Sequence, residues 1–359
     1  MQSLNEKTWK PIPMTALFQK FVRGKVSSAS DELKRSDGIP YVGATDRNNG
    51  VLDYLEADRA KIQPGNCITF IRDGQGSVGS SIYRATPCIA TVNTSSGYAS
   101  WLNQNTGLFV STSSNQVRGK YGFGYKRKEK RLFAERIMLP VTDSGEPDYE
   151  YMAEYVQQKR DAMFAKYRAY VETRIAELGE YVEIPKLDEK EWKPIYISDI
   201  FEFVRGRENN MAMLEDGDVP LISAKANNNG LKGFVHSPKK VIAGRCITLN
   251  NDGDGGAGLA YYQPANMALD THVTALMPRF DMSMFAMLFI AECISGLHGF
   301  FGHGLSISNP RAKRIRIMLP VTDSGEPDYE YMEQYAKNMM LRKYRQYLAY
   351  LDRQKQWQE

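Results

Sequence analysis

Two glycine-rich stretches raise the question of catalysis first. "DGQGSVG" at residues 73–79 and "DGDGGAG" at residues 252–258 share the GxGxxG spacing that lets backbone N–H groups approach a dinucleotide pyrophosphate. That chemistry needs a helix directly afterwards, with its N-terminus facing the phosphates. Here "SSIYRATPCIATV" and "LAYYQPANMALDTHV" follow, strand-like or broken, so the pattern predicts a tight glycine connection between strands. Pro147-Asp148 followed by Glu183-Ile184-Pro185-Lys186 imitates the PD…ExK pattern of metal-dependent nucleases. Its copy, Pro327-Asp328, has no ExK after it. Both pairs open a helical pattern, where carboxylates suit the positive N-terminal end. The four histidines (His236, His272, His298, His303) have no paired ligand spacing, and the four cysteines (Cys67, Cys88, Cys246, Cys293) form no CxxC. There is no GxSxG, no GxxxxGK[ST] and no NPPY or DPPY tetrapeptide of the amino-methyltransferases. A chain with no catalytic, cofactor or metal site of its own is expected.

Composition narrows the class. A chain of 359 residues, 42% hydrophobic and 25% charged, suffices for two globular domains. The longest apolar run, residues 282–294, is too short to span a bilayer, and the first residues lack a signal-peptide pattern. A cytoplasmic protein with buried free thiols and no membrane partner is expected. The net charge of +4 permits nucleic-acid binding without arguing for it. Its distribution says more: residues 118–136 hold eight Lys or Arg against two Glu, interleaved with Tyr121, Phe123 and Tyr125. Such a run is often only a solvated face, but glycine and aromatics among the charges suit a loop that tracks phosphates.

The elements that must position these residues come as a repeat. "RIMLPVTDSGEPDYEYM" occupies residues 136–152 and recurs unchanged at 316–332. It ends a longer, blurred duplication. "WKPIPMTALFQKFVRGK" from Trp9 matches "WKPIYISDIFEFVRGRE" from Trp192, and "IPYVGATDRNNG" from Ile39 matches "VPLISAKANNNG" from Val219. "PGNCITFIRDGQGSVG" from Pro64 matches "AGRCITLNNDGDGGAG" from Ala243. The order is A–B–A′–B′. The A units, with short β-branched runs between Gly, Asn and Pro clusters, predict mostly β domains; in A′, "MSMFAMLFIAECI" predicts a buried helix. Each B unit starts at a proline and runs on without Pro or Gly. Tyr149, Val156, Met163 and Tyr170 recur at seven, as do Phe164, Val171 and Leu178, while Leu341, Tyr344, Leu348 and Leu351 step by three, four and three. Pairing of the two helices is expected through Val156, Met163, Tyr167 and Tyr170 on one and Leu341, Tyr344, Leu348 and Leu351 on the other. The alternative lays each helix on its own domain. The fold class is α+β, with an internal pseudo-twofold repeat.

This order, with variable domains separated by near-identical helical segments, resembles the specificity subunit of type I restriction–modification systems. It is equally similar to the separate specificity subunits of type IIB enzymes. The carriers are the early Trp with its "FVRG" turn, "IPYVGATDRNNG", the DGxGxxG hairpin and the "RIMLPV" strand before the helix. The usual "LPPL…EQ" lead into the helix reads "MLPVTDSGEPDYEYM" here, which leaves type I against type IIB open. The resemblance implies target recognition domains at 1–147 and 187–327, each reading half of a split double-stranded DNA sequence. It implies helices at 148–186 and 328–359 that pair as an antiparallel coiled coil. These space the domains and dock two methyltransferase subunits, which would carry the S-adenosylmethionine; restriction or translocase subunits are further partners of such complexes. A two-domain β-rich ligand-binding or adaptor protein and a self-sufficient metal-dependent nuclease are the alternatives.

Asn, Gln, Arg and Lys at loop tips suit base edges, because they form bidentate contacts to adenine or guanine. Arg47, Asn48 and Asn49 stand at the turn that matches Lys225, Asn227, Asn228 and Asn229. Arg72 opposes Asn251, and Asn250 adds a second amide. An ordinary hairpin turn would also explain "NNG". Lys120, Tyr121, Lys126, Arg127 and Lys128 are the phosphate candidates of the first domain. His298, His303 and Ser306 stand in the equivalent loop of the second.

Overall fold

The computed structural model describes residues 3–27, 35–56, 58–74, 76–122, 124–209, 213–253, 256–302 and 305–356. It forms two compact units, Met1–Tyr167 and Arg168–Glu359, built on one α+β design.

In the first unit, Trp9–Pro13 pairs antiparallel with Arg136–Pro140 and so ties the two ends of the domain together. Alternation along the second strand buries Ile137 and Leu139 and exposes Arg136 and Met138. The main sheet is antiparallel, in the order Lys20–Arg23, Thr94–Tyr98, Cys67–Ile71, Ser81–Arg84. Cys67–Ile71 is buried at every position, which is why "CITFI" reads as an unbroken apolar run. A second sheet holds Val51–Leu55, Arg35–Val42, Cys88–Ala90 and Ile62–Gln63. Helix Gln104–Asn115 starts where the Asn103 side chain accepts from the backbone of Asn105 and Thr106. The core gathers Met14, Leu17, Ile68, Phe70, Val110, Leu132, Ile137 and Leu139, and Met152 of the long helix joins it.

The second unit repeats this. Trp192–Tyr196 pairs with Arg316–Pro320 in the same register, Trp192 opposite Pro320 as Trp9 is opposite Pro140. Its main sheet runs Phe201–Arg205, Val273–Pro278, Cys246–Asn250, Ala260–Gln263. The apolar segment of A′ is the buried helix Met284–Ser295. Matching side chains hold matching places: Trp9 Nε1 donates to the Leu4 carbonyl at 2.9 Å, and Trp192 Nε1 to that of Leu187 at 2.8 Å.

The long helices are Tyr149–Leu178 and Tyr329–Gln356. Each begins on its own domain: Tyr149, Met152, Tyr155 and Val156 pack into the first core, and Tyr329, Met332 and Tyr335 into the second. Within the second unit the end of the first helix then runs antiparallel to the other. Arg168 pairs with Asp352 and Arg174 bonds Tyr344. Beyond Gly179, whose φ of +78° ends the helix, Val182 exchanges backbone bonds with the Asn338 amide. Tyr331 Oη donates to the Pro185 carbonyl at 2.9 Å. The partner number falls as the first rises. The seam differs in part from the expected one on the first helix. Val171 and Leu178 are buried there, as Leu341 and Leu351 are on the second, with Tyr344 and Leu348 half-buried. Met163 is 59% exposed, Tyr167 is exposed too, and Val156 belongs to the domain core, whereas Tyr170, though 52% exposed, bonds Tyr344 across the pair. The helix spends its first turns on the domain, so the stripe starting at Tyr149 reaches the pair only at Tyr170. The other seven-step series supplies the buried pairing positions, Val171 and Leu178.

Candidate nucleic-acid interface

Three loops meet at one rim of the first unit: residues 43–50, the hairpin at 72–80 and the stretch 115–131. Ser77 Oγ donates to the Ala44 carbonyl at 2.6 Å, joining the first two. Arg118 joins all three, paired with Asp46 at 2.7 Å and bonded to the Gly76 carbonyl. Lys126 reaches Asp73 of the hairpin at 2.6 Å. The hairpin glycines make this approach possible. Gly79 has φ +90°, and a side chain there would meet Tyr121 and Arg118 at 2.9–3.2 Å. Strands follow both glycine stretches, so neither cradles a dinucleotide.

The asparagine turns have a backbone cause. Asn48, Asn49 and Gly50 sit at φ of 47°, 54° and 75°, and Asn228, Asn229 and Gly230 at 51°, 53° and 75°. Only Gly and Asn enter this left-handed region at low cost. The turn is built, and its side chains still face outward: Arg47, Asn48, Asn49, Asn227 and Asn228 are exposed. Asn229 is exposed too, but its amide donates to the Tyr262 carbonyl at 2.9 Å. Lys225 is half-buried, with its ammonium on the Leu231 carbonyl at 3.0 Å.

Arg127, expected on phosphates, is instead fully buried. It pairs with buried Glu135 and donates to the Gly79 carbonyl, Ser81 Oγ and Ser114 Oγ, each at 2.9 Å. Tyr121 Oη donates to the same carboxylate, and burial, with that carboxylate beside it, raises the phenol well above its ordinary range. Arg127 therefore pins the loop, leaving Lys128 exposed beside it and Lys126 half-buried. Lys120 is exposed as well.

Around Arg72 these loops form a recess of about 580 Å³ lined by Arg23, Arg72, Lys126, Lys128, Lys130 and Arg131, with Asp73, Asn93 and Glu129 among them. Burial, and Arg23 nearby, lower the Arg72 pKa. Arg131 stacks over Tyr125 at 3.9 Å, which in turn stacks on Tyr121 at 6.0 Å. Arg23, Lys130 and Arg131 were not among the expected residues. The repeated "FVRG" and the charge run were the available signals.

In the second unit the equivalent loops meet by other bonds. Asn250 and Asn251, expected to read bases, are buried. Asn250 Nδ2 donates to the Lys225 and Gly256 carbonyls, and Asn251 exchanges bonds with the Ile307 backbone at 2.6 Å. They hold the rim together, because neutral amides at a strand end satisfy loop backbone that would otherwise lack partners. His298 Nδ1 lies on the Ala257 carbonyl. Ser306 is exposed, and its carbonyl accepts from Arg311. His303 lies outside the described residues. Asp252 pairs with His272 at 2.6 Å and, by that bond first and against a burial penalty, raises the imidazole pKa above its ordinary value.

The PD pairs are helix starts. Asp148 Oδ1 accepts from Tyr151 N at 3.0 Å while Oδ2 pairs with Lys7 at 2.7 Å; Asp328, Tyr331 and Lys190 repeat this at 3.0 and 2.8 Å. Among the described residues no three His, Cys, Asp or Glu converge as a metal site would require, and no helix is long and apolar enough to cross a membrane.

The profile of the family described as "Type I restriction modification DNA specificity domain" matches residues 6–163 and again 189–347. The specificity subunit of the type II restriction enzyme BgcI from Heyndrickxia coagulans is 23% identical over 329 residues, covering 89% of this chain and 91% of that one. A crystal structure of a type I restriction–modification S subunit from M. genitalium superposes with a TM-score of 0.53 at 15% identity, over 98% of this chain and 95% of that one. With two family domains in tandem on a duplicated α+β fold, the chain belongs to the restriction–modification DNA specificity subunits.

Proposed function

We propose that each unit reads one half of a bipartite duplex DNA sequence through its loop rim, and that the paired helices space the two halves. The identical junctions dock two copies of a methyltransferase, which binds the S-adenosylmethionine. The chain itself supplies recognition and no chemistry. One observation supports this above the others: the same fold carries unlike rims above an identical, exposed junction. Buried positions of the repeated segment could stay identical for packing alone. Arg136, Met138, Asp143, Glu146 and Glu150 are exposed, and so are Arg316, Met318, Asp323, Glu326 and Glu330. Packing does not require those to match, whereas binding one partner twice does. Rim residues diverge because each reads different bases.

Exchanging residues 1–147 for the recognition domain of another such subunit tests this. In cells that also express the cognate methyltransferase, one half of the modified motif is expected to change while the other half stays. If both halves change together, the assignment of one half to each unit is wrong.

A further inference from the structure

The repeat allows the two rims to be compared position by position. With an offset of 180, Arg118, Lys120, Lys126, Lys128 and Lys130 of the first unit correspond to His298, Phe300, Ser306, Ser308 and Pro310 of the second. Arg72 corresponds to Asn251, which is buried in bonds to loop backbone. Five cations thus become side chains that carry no charge, and Arg118 becomes His298. Arg23 and Arg131 alone persist among the recess cations, as Arg205 and Arg311. Arg205 Nε keeps its bond to the Thr271 carbonyl as Arg23 keeps its bond to Val92, so the frame is unchanged. The second unit places Lys313 and Arg314 where the first has Phe133 and Ala134. Phe133 packs against Phe21 at 4.9 Å in the first unit, and neither it nor Ala134 lines the recess. Exposed Phe300, 71% accessible, stands where Lys120 stands.

We infer that the two units grip DNA by different chemistry: the first through phosphate charge gathered at the Arg72 recess, the second through neutral and aromatic loop contacts. This rests on the reading of both rims as DNA-facing. Counterion release makes the difference measurable, since each phosphate contact adds about 0.9 to the slope of log affinity against log salt. Most of the salt dependence of the whole chain then belongs to the first half-site. A salt rise weakens the hold on that half first, and discrimination at the second half changes little.

The test uses the full chain and duplexes carrying its motif, titrated across salt. Lys126→Ser/Lys128→Ser/Lys130→Ser in the first unit is expected to flatten the slope by about 2 to 3 units. The affinity lost between 50 and 200 mM salt then shrinks by roughly 16- to 64-fold. Arg311→Ser/Lys313→Ser/Arg314→Ser in the second unit is expected to flatten it by no more than about 1 unit. Grafting Ser306→Lys/Ser308→Lys into the second unit is expected to steepen it by about 2 units. Equal flattening by the two neutralised variants overturns the asymmetry while leaving DNA recognition intact. So does a first-unit variant whose slope is unchanged. An unmodified chain with no salt-dependent binding to any duplex would instead overturn the DNA-reading proposal itself.

Discussion

Replacing Arg127 by isoleucine should open the first unit while leaving the second untouched. The chain has already made the compensated version of this change. Tyr121, Arg127 and Glu135, with Ser81 and Ser114 around them, form a buried polar cluster. Their counterparts by the repeat are Phe301, Ile307, Ile315, Ala260 and Ile294: Ile307, Ala260 and Ile294 belong to the second core, and Phe301 and Ile315 pack against it. Removing one member of a buried ion pair strands the other charge without solvent, which costs about 3–5 kcal/mol. Arg127→Ile leaves Glu135 in that state, its side chain only 2% exposed. Hydrogen exchange on peptides spanning residues 110–140 should then lose protection by roughly 10²- to 10⁴-fold, at about 1.4 kcal/mol per decade. Converting all five positions to the apolar set of the second unit should restore protection to within about tenfold of the parent, since a well-packed apolar replacement is neutral or better. Lys128 stays exposed in either case. Full protection in Arg127→Ile alone, or a fivefold variant as open as the single one, would refute the claim that Arg127 is a positioning residue.

The amide at the first asparagine turn should read at most one base. Asn49→Ala is expected to relax choice at a single position by about 1–3 kcal/mol if the contact is bidentate; Asn49→Gly, which removes the amide without backbone strain at φ 54°, separates that loss from turn distortion. Acid should release both domain–helix clamps. Burial raises the Asp148 carboxyl, but the Lys7 ammonium and the Tyr151 N–H outweigh it and hold its pKa below the ordinary value, as Lys190 and Tyr331 do for Asp328. A depressed carboxylate contributes stability that is full above its unfolded pKa of 3.8 and is lost as pH falls through the lower folded value. Asp148→Asn/Asp328→Asn should therefore be less stable than the parent at pH 7, with the gap closing below about pH 4 in a pH series of denaturation curves.

Much of this architecture was legible in the letters because backbone constraints leave local marks. Buried strands read as "CITFI" and "CITLN", the NNG turns follow from left-handed φ, and the duplication reappears as the same register in the strand pair that closes each unit. Side-chain fate was less legible where charge is involved. "KRKEKR" looks like one solvated run, yet its second residue points inward while its neighbours face out, and nothing within the run distinguishes them. The distinguishing signal lay 180 residues away, where Arg127 and Glu135 both become isoleucine. Asn250 and Asn251 misled for the opposite reason: an amide that suits a base edge also suits unsatisfied loop backbone. On the first helix two seven-residue series competed, and the fold divides them: Val156 goes to the domain core, Tyr170 bonds across the helix pair, and Val171 and Leu178 are buried in it.

The most direct measurement of the central claim is modified-base sequencing of DNA from cells that express this chain with its methyltransferase. Two short fixed half-sites separated by a constant gap of unread bases are expected. Four residues inserted in the first helix near Ala165, lengthening it by roughly 6 Å, should keep both half-sites and widen the gap by about one or two base pairs. An uninterrupted motif in the parent, or an active insertion variant whose gap is unchanged, would contradict the account.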